Sequence, residues 1–145
     1  MTRAFLILPA ICALALAGCA QGGNQSSDST SDFKGTEKLV AGTVEDLQAY
    51  GDRGEGEKIC SQLLTAKLSQ QIAKEGGAKG CTGAVSDAME QTDNSDLIVT
   101  DVVIDPKDAE KAKATVKAET GDETSQTSTM ELAKESGRWK IASFG

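Results

Sequence analysis

LIVTDVVIDPKDAEKAKATVKAE, residues 97–119, carries two signals that leave little choice of local structure. Residues 97–104 are β-branched and apolar on both faces, as expected of a strand covered on most sides. Asp105-Pro106-Lys107-Asp108 has the chemistry of a turn. From residue 110 to 119 the chain then alternates strictly. Ala112, Ala114, Val116 and Ala118 fall on one side, and Lys111, Lys113, Thr115, Lys117 and Glu119 on the other. A period of two marks a strand with one dry face and one wet face. Toward the C-terminus the pattern repeats. Thr120-Gly121-Asp122-Glu123 predicts a hairpin, and residues 124–134 a third strand with Met130 and Leu132 inward and Thr127, Thr129 and Glu131 outward. Ser136-Gly137 turns into a last strand, 138–144, where Trp139 and Ile141 share a face. The second half therefore reads as an antiparallel meander of about four strands.

Toward the N-terminus the period changes to that of a helix. Leu39, Val40, Thr43, Val44, Leu47 and Tyr50 recur at helical spacing, which predicts a helix over 34–51 that breaks at Gly51-Asp52-Arg53-Gly54. A short helix over 55–64 follows, with Ile59, Cys60, Leu63 and Leu64 on its apolar side. Thr65 is placed to cap a third helix carrying Leu68 and Ile72, stopped by Gly76-Gly77. Thr82 is placed to cap a fourth, over 83–91, with Val85, Ala88 and Met89 inward. Helices first and an antiparallel sheet second make an α+β domain, with the helices packed on the aliphatic face of the sheet.

Residues 1–18 have the form of an export signal. Arg3 supplies a positive start, and residues 4–16 are uncharged and mostly apolar, interrupted by Pro9. The run is shorter than the roughly 20 residues that span a bilayer. It ends in Leu16-Ala17-Gly18-Cys19, which resembles the lipobox of bacterial lipoproteins. That resemblance implies a diacylglyceryl thioether on Cys19 and cleavage just before it. Ordinary secretion competes, because Ala15-Leu16-Ala17 also fits the small-x-small rule for cleavage without lipid. Cysteine pairing separates the two readings. Cys12 leaves with the signal, so free secretion would leave three cysteines in an oxidising compartment, whereas lipidation consumes Cys19 and leaves Cys60 and Cys81 as a pair. The residues after Cys19, AQGGNQSSDSTSD, hold no large apolar side chain and read as a tether with a reach of roughly 20 Å. The expected organisation is a signal over 1–18, the lipidated cysteine and tether over 19–32, and one domain over 33–145. Asn24-Gln25-Ser26 matches a glycosylation triplet by form only.

Composition narrows the function. The formal charge is −7, which argues against nucleic acid, whose phosphates require clustered Lys and Arg. The chain has no histidine, and this removes the commonest general base and metal ligand. No metal or other cofactor is expected. Asp93-Asn94-Ser95-Asp96 has the opening of a calcium loop without its glycine and closing glutamate at the right spacing, so it reads as a turn.

A helical N-terminal segment followed by strands that close on Gly137-Arg138-Trp139-Lys140-Ile141-Ala142-Ser143-Phe144 resembles the cystatin-like, nuclear-transport-factor-2-like superfamily. The Cys60 and Cys81 pair in the helical part also resembles small exported lipoproteins of that group. The resemblance covers about residues 33–145. It implies a curved antiparallel sheet wrapped around helices as a cone. The superfamily includes isomerase-like enzymes, ligand carriers and non-catalytic domains, so the fold does not give the function.

An isomerase-like enzyme would need a carboxylate paired with a Tyr or His donor. Tyr50 is the single tyrosine, and Asp101 lies mid-strand with Leu97, Val99 and Val103 assigned to its own face. The plainer reading puts Asp101 on a solvated face and Tyr50 at the core edge, and the chain is expected not to be an enzyme. For an apolar ligand, the candidate lining is Tyr50, Val116, Met130, Leu132, Trp139 and Ile141, with the competing expectation that alanines on that face let the first helix pack close. The sequence thus points to a monomeric, membrane-anchored extracytoplasmic protein. It contacts an envelope partner or, alternatively, binds a small apolar ligand.

Overall fold

The computed structural model describes residues 29–91, 95–120 and 125–145. The lipobox with Cys19, the triplet Asn24-Gln25-Ser26, most of the 120–123 hairpin turn and the Asp93-Asn94 segment lie outside the described residues. Four α-helices lie to one side of a four-stranded antiparallel sheet of order β1-β2-β3-β4, with α1 and α3 against the sheet and α2 and α4 packed on the other helical elements. The helices are α1 (Gly35–Gly51), α2 (Gly56–Lys58), α3 (Ala66–Glu75) and α4 (Gly80–Gln91), and the strands are β1 (Ser95–Ile104), β2 (Lys111–Thr120), β3 (Ser125–Glu135) and β4 (Arg138–Phe144). This is the α+β arrangement expected from the two hydrophobic periods.

The alternation in β2 sets the interior. Ala112, Ala114 and Val116 are buried, with Met130 and Leu132 beside them on β3 and Trp139 and Ile141 on β4. Val40, Ala41, Val44 and Leu47 of α1 complete the same core. Alanines at 41 and 114, both fully buried, allow the helix backbone to sit close to the sheet. Each fully buried Leu or Ile, such as Leu132 or Ile141, contributes about 1.5–3 kcal/mol of transfer free energy.

Strand β1 departs from the sequence reading. Its register with β2 slips between Val99 and Asp101, leaving Thr100 as a bulged residue. Val99 and Val102 are buried, whereas Asp101 is exposed and Val103 is 53% exposed. Strict alternation puts Val99, Asp101 and Val103 on one face; the extra residue moves the last two to the solvent side. A second slip between Glu131 and Leu132 leaves Ala142 as the unpaired residue of β4. Bulges of this kind bend a strand, and here they lie on the two edge strands of the sheet.

The helical half follows its local signals with two adjustments. Helix α2 runs into a π-helical turn, Ile59–Leu63, that buries both terminal residues. The chain then meets the sheet edge, where Leu64 bridges Ile141 and the Thr65 N–H donates to the Ile141 carbonyl at 2.9 Å. Thr65 caps α3 as expected, its hydroxyl accepting from the Leu68 N–H at 3.3 Å. Helix α4 begins at Gly80 rather than after Thr82, so Thr82 lies inside the helix and not at its cap. The 3-10 turn Gly77–Lys79 leads directly into it, and the disulfide from Cys81 to Cys60 (Cα–Cα 6.2 Å) pins its first turn.

The packed domain also begins earlier than composition suggests. Ser29–Asp32, assigned to the tether, form a 3-10 turn against α1 and β1. Ser29 is 7% exposed; its hydroxyl donates to Glu45 at 3.2 Å and accepts from the Val99 N–H at 3.2 Å. The Thr30 N–H donates to the same Glu45 oxygen at 2.8 Å. A polar residue can be buried when its hydrogen bonds are met, which a hydrophobicity-based reading of a Ser/Asp-rich segment does not register.

Candidate functional site

The six residues expected to line a ligand pocket are not brought to one cavity. Val116, Leu132 and Ile141 are fully buried against α1, and Met130 nearly so. Their space is filled by Val40, Ala41 and Val44. Leu132 also borders a concavity of about 410 Å³ by Val103, Lys113 and Glu131. Tyr50 and Trp139 do meet, in a groove of about 340 Å³ between α1, the π-helical turn and the β3–β4 hairpin. Two cavities therefore bear on function: that groove and an apolar cleft among the helices.

The groove follows one stripe of α1. Leu39, Thr43, Asp46 and Tyr50 recur at intervals of four, three and four residues and so stand in line along one face. The opposite wall is Gln62 and Leu63, then Gly137, Arg138 and Trp139. Ser136 and Gly137 join β3 to β4 with φ of 52° and 81°, the two successive positive φ values of a tight hairpin turn. Leu39 is 63% exposed at one end. At the other, the Tyr50 ring carries the Arg53 guanidinium at 5.2 Å and the Lys58 ammonium at 5.4 Å. Glu55 holds both cations, at 3.4 Å from Arg53 Nε and 2.9 Å from Lys58 Nζ, and the Lys58 hydrogen bond keeps its carboxyl below the usual range. Burial pushes the Asp46 carboxyl above its ordinary value, an effect that Arg53 opposes. The sequence reading singled out Tyr50 and Trp139. It missed Asp46 and Arg138, although the 39-43-46-50 stripe held the signal for Asp46.

The cleft has about 520 Å³ and lies between α3, α4 and the interior. Ile72, Val85, Met89, Leu47 and Ile59 wall it, and Phe144, 47% exposed, stands at its edge. Its charged rim is Glu75, Lys79 and Asp87, with Lys79 paired to Asp87. At Gly76 a Cβ would lie 2.6 Å from the Gly80 carbonyl, so α3 and α4 approach there as only glycine allows.

The acid-base pair considered for an enzyme is not assembled. Asp101 is exposed beyond the bulge on β1, while Tyr50 faces the groove beside α1. Among the described residues no group of three or more Cys, Asp or Glu side chains is arranged to hold a metal ion, and no helix is long and apolar enough to cross a membrane. No protein-family model and no curated protein matches the chain. Among solved structures, a Campylobacter jejuni protein described as a "Putative NTF2-like transpeptidase" matches at 18% identity with a TM-score of 0.44, over 76% of this chain and 99% of that one.

Proposed function

We propose that the chain is a lipid-anchored extracytoplasmic protein whose α+β domain, of the nuclear-transport-factor-2-like kind, acts as a monomeric, non-catalytic interaction module of the cell envelope. The cysteine distribution carries this reading. Cys60 and Cys81 are joined to each other in the domain, so Cys19 has neither as a partner, and it closes Leu16-Ala17-Gly18-Cys19, the stretch that resembles a lipobox. A domain disulfide suits an oxidising compartment, and two acyl chains, at ~0.8 kcal/mol per buried methylene, are enough for stable anchoring. The filled sheet face moves attention from an interior ligand to the surface grooves. The outer sheet face carries ion pairs, Lys113–Glu131 and Lys117–Glu119 among them, as suits a solvated surface. The test is Cys19→Ala, followed by fractionation of whole cells. The variant is expected in the soluble extracytoplasmic fraction, and retention in the membrane through a high-salt wash would overturn the anchor.

A second reading, binding of a small apolar ligand, is favoured by one observation: the apolar cleft beside Phe144 is the largest of the three cavities described here. Native mass spectrometry of the purified protein separates the two. A discrete adduct, lost when Met89→Lys places a charge in the cleft, would establish the ligand reading.

A further inference from the structure

The two edges of the sheet are closed in different ways. At β4 the cover is main chain, where Leu64 bridges Ile141 and the Thr65 N–H donates to the Ile141 carbonyl. At β1 it is made of side chains. The Leu97 N–H donates to Gln48 Oε1 at 2.9 Å, and the Val99 N–H donates to the Ser29 hydroxyl at 3.2 Å. Both N–H groups point away from β2, so through them this part of the edge would pair with another strand. Gln48 is itself held, its amide nitrogen donating to Asp96 at 3.1 Å. Glu45, one turn earlier on α1, accepts from the Ser29 hydroxyl and the Thr30 N–H.

The two covers differ in how firmly they sit. Gln48 belongs to α1, whose neighbouring Val44 and Leu47 are buried, so it moves only with the core. Ser29 belongs to Ser29–Asp32, a turn of Ser, Thr, Ser and Asp without an apolar side chain. Hydrogen bonds rather than apolar burial hold it in place, and segments of that kind open locally without unfolding the rest. Beneath it lies Val99, 4% exposed.

The edge under this turn is self-complementary. A two-fold axis at Ile98 sets Leu97 of each copy against Val99 of the other, Ile98 against Ile98, Asp96 against Thr100 and Ser95 against Asp101. The Leu97–Val99 pairs would exchange about four main-chain hydrogen bonds, and no carboxylate faces another across the axis. An axis farther along, at Val103, would instead set Asp101 against Asp105 on both sides.

We propose that Ser29–Asp32 is a releasable strap over the edge of β1, and that its release lets two copies of this chain pair antiparallel through Leu97–Val99. This rests on the reading of the chain as a monomer, for which the strap and Gln48 supply the physical basis.

A cysteine at position 98 reports the pairing. Directly opposed residues between the hydrogen-bonded pairs bring their Cα atoms to about 4.5 Å, within disulfide range. Ile98→Cys is introduced into the full chain and treated in whole cells with a copper–phenanthroline oxidant. Little crosslinked dimer is expected in the otherwise wild-type chain. Adding Glu45→Ala and Gln48→Ala, which free the strap and uncover Leu97, should raise it by about tenfold. Thr127→Cys, on the outer face of β3, should show no rise. Hydrogen exchange of the wild type tests the strap without any substitution: the Val99 amide should exchange at least about tenfold faster than the Val116 amide of central β2. Equal exchange at the two amides, no dimer from the Glu45→Ala/Gln48→Ala chain, or an equal rise from Thr127→Cys would each overturn the strap and leave the monomer reading standing. Abundant dimer from Ile98→Cys alone would reject the monomer reading and the seal together.

Discussion

Removing the Cys60–Cys81 bridge is expected to lower the melting temperature by about 12 °C. The two cysteines are 21 residues apart, and closing a loop of that size in the unfolded chain contributes about 3 kcal/mol in the chain-entropy account. The domain runs from residue 29 to 145, so at about 2.1 cal/mol/K per residue its unfolding entropy is on the order of 0.25 kcal/mol/K. The ratio of the two gives the shift. The native side should change little, because Cys60 and Cys81 are half-buried at the margin of the core and an alanine leaves only a small space. Differential scanning calorimetry of the Cys60→Ala/Cys81→Ala variant, beside the wild type with and without reductant, measures it. The reduced wild type and the double variant should agree, and their urea m-values should rise because the unfolded chain is no longer held compact. A shift below about 4 °C, or an m-value that stays the same, would refute the argument that the bridge acts by confining the unfolded state.

Three further perturbations test other joints of the structure. Gly76→Ala places a Cβ 2.6 Å from the Gly80 carbonyl and 2.8 Å from the Ala84 Cβ, so α3 and α4 must separate; a loss of about 1–3 kcal/mol is expected by urea denaturation. Glu45→Ala removes the acceptor for both Ser29 and Thr30, and should cost about 1–3 kcal/mol and speed amide exchange at Thr30, while exchange in α3 stays unchanged. The folded-state pKa of Asp46 is raised by burial, so the folded chain binds its proton more tightly than the unfolded chain, and stability is lost as pH rises through the window between the two values. Asp46→Asn should abolish that part of the pH dependence, and melting curves from pH 3 to 7 that keep the same slope in the variant would count against it.

The meander and the helices were legible because each rests on a local period. Ala112, Ala114 and Val116 alternate whatever they pack against, and Thr65 announces a cap through its own hydroxyl and the Leu68 N–H three residues on. The Cys60–Cys81 pairing was legible from counting cysteines, since the expected loss of Cys12 with a signal and of Cys19 to a lipid leaves two. Three features had no local signature. The Thr100 bulge depends on how β1 meets β2, and one extra residue was enough to part Asp101 and Val103 from Val99, so that Val99 is buried while Val103 joins Asp101 in solvent, where the plainer reading had put Asp101. Ser29 is buried because Glu45 and Val99, far away in sequence, meet its hydrogen bonds.

The groove is the third such feature. Tyr50 and Trp139 could be named from type and period, but Arg138 reaches them only because a two-residue turn returns β4 alongside β3 and brings it against the π-helical turn. Sequence by itself determined most of the aliphatic interior, such as Ala112, Ala114, Val116 and Val44, since hydrophobic periodicity is a property of neighbours along the chain. Only the tertiary structure decided which polar residues share a cavity, because that depends on register, bulges and turns, where a shift of one residue changes the face presented.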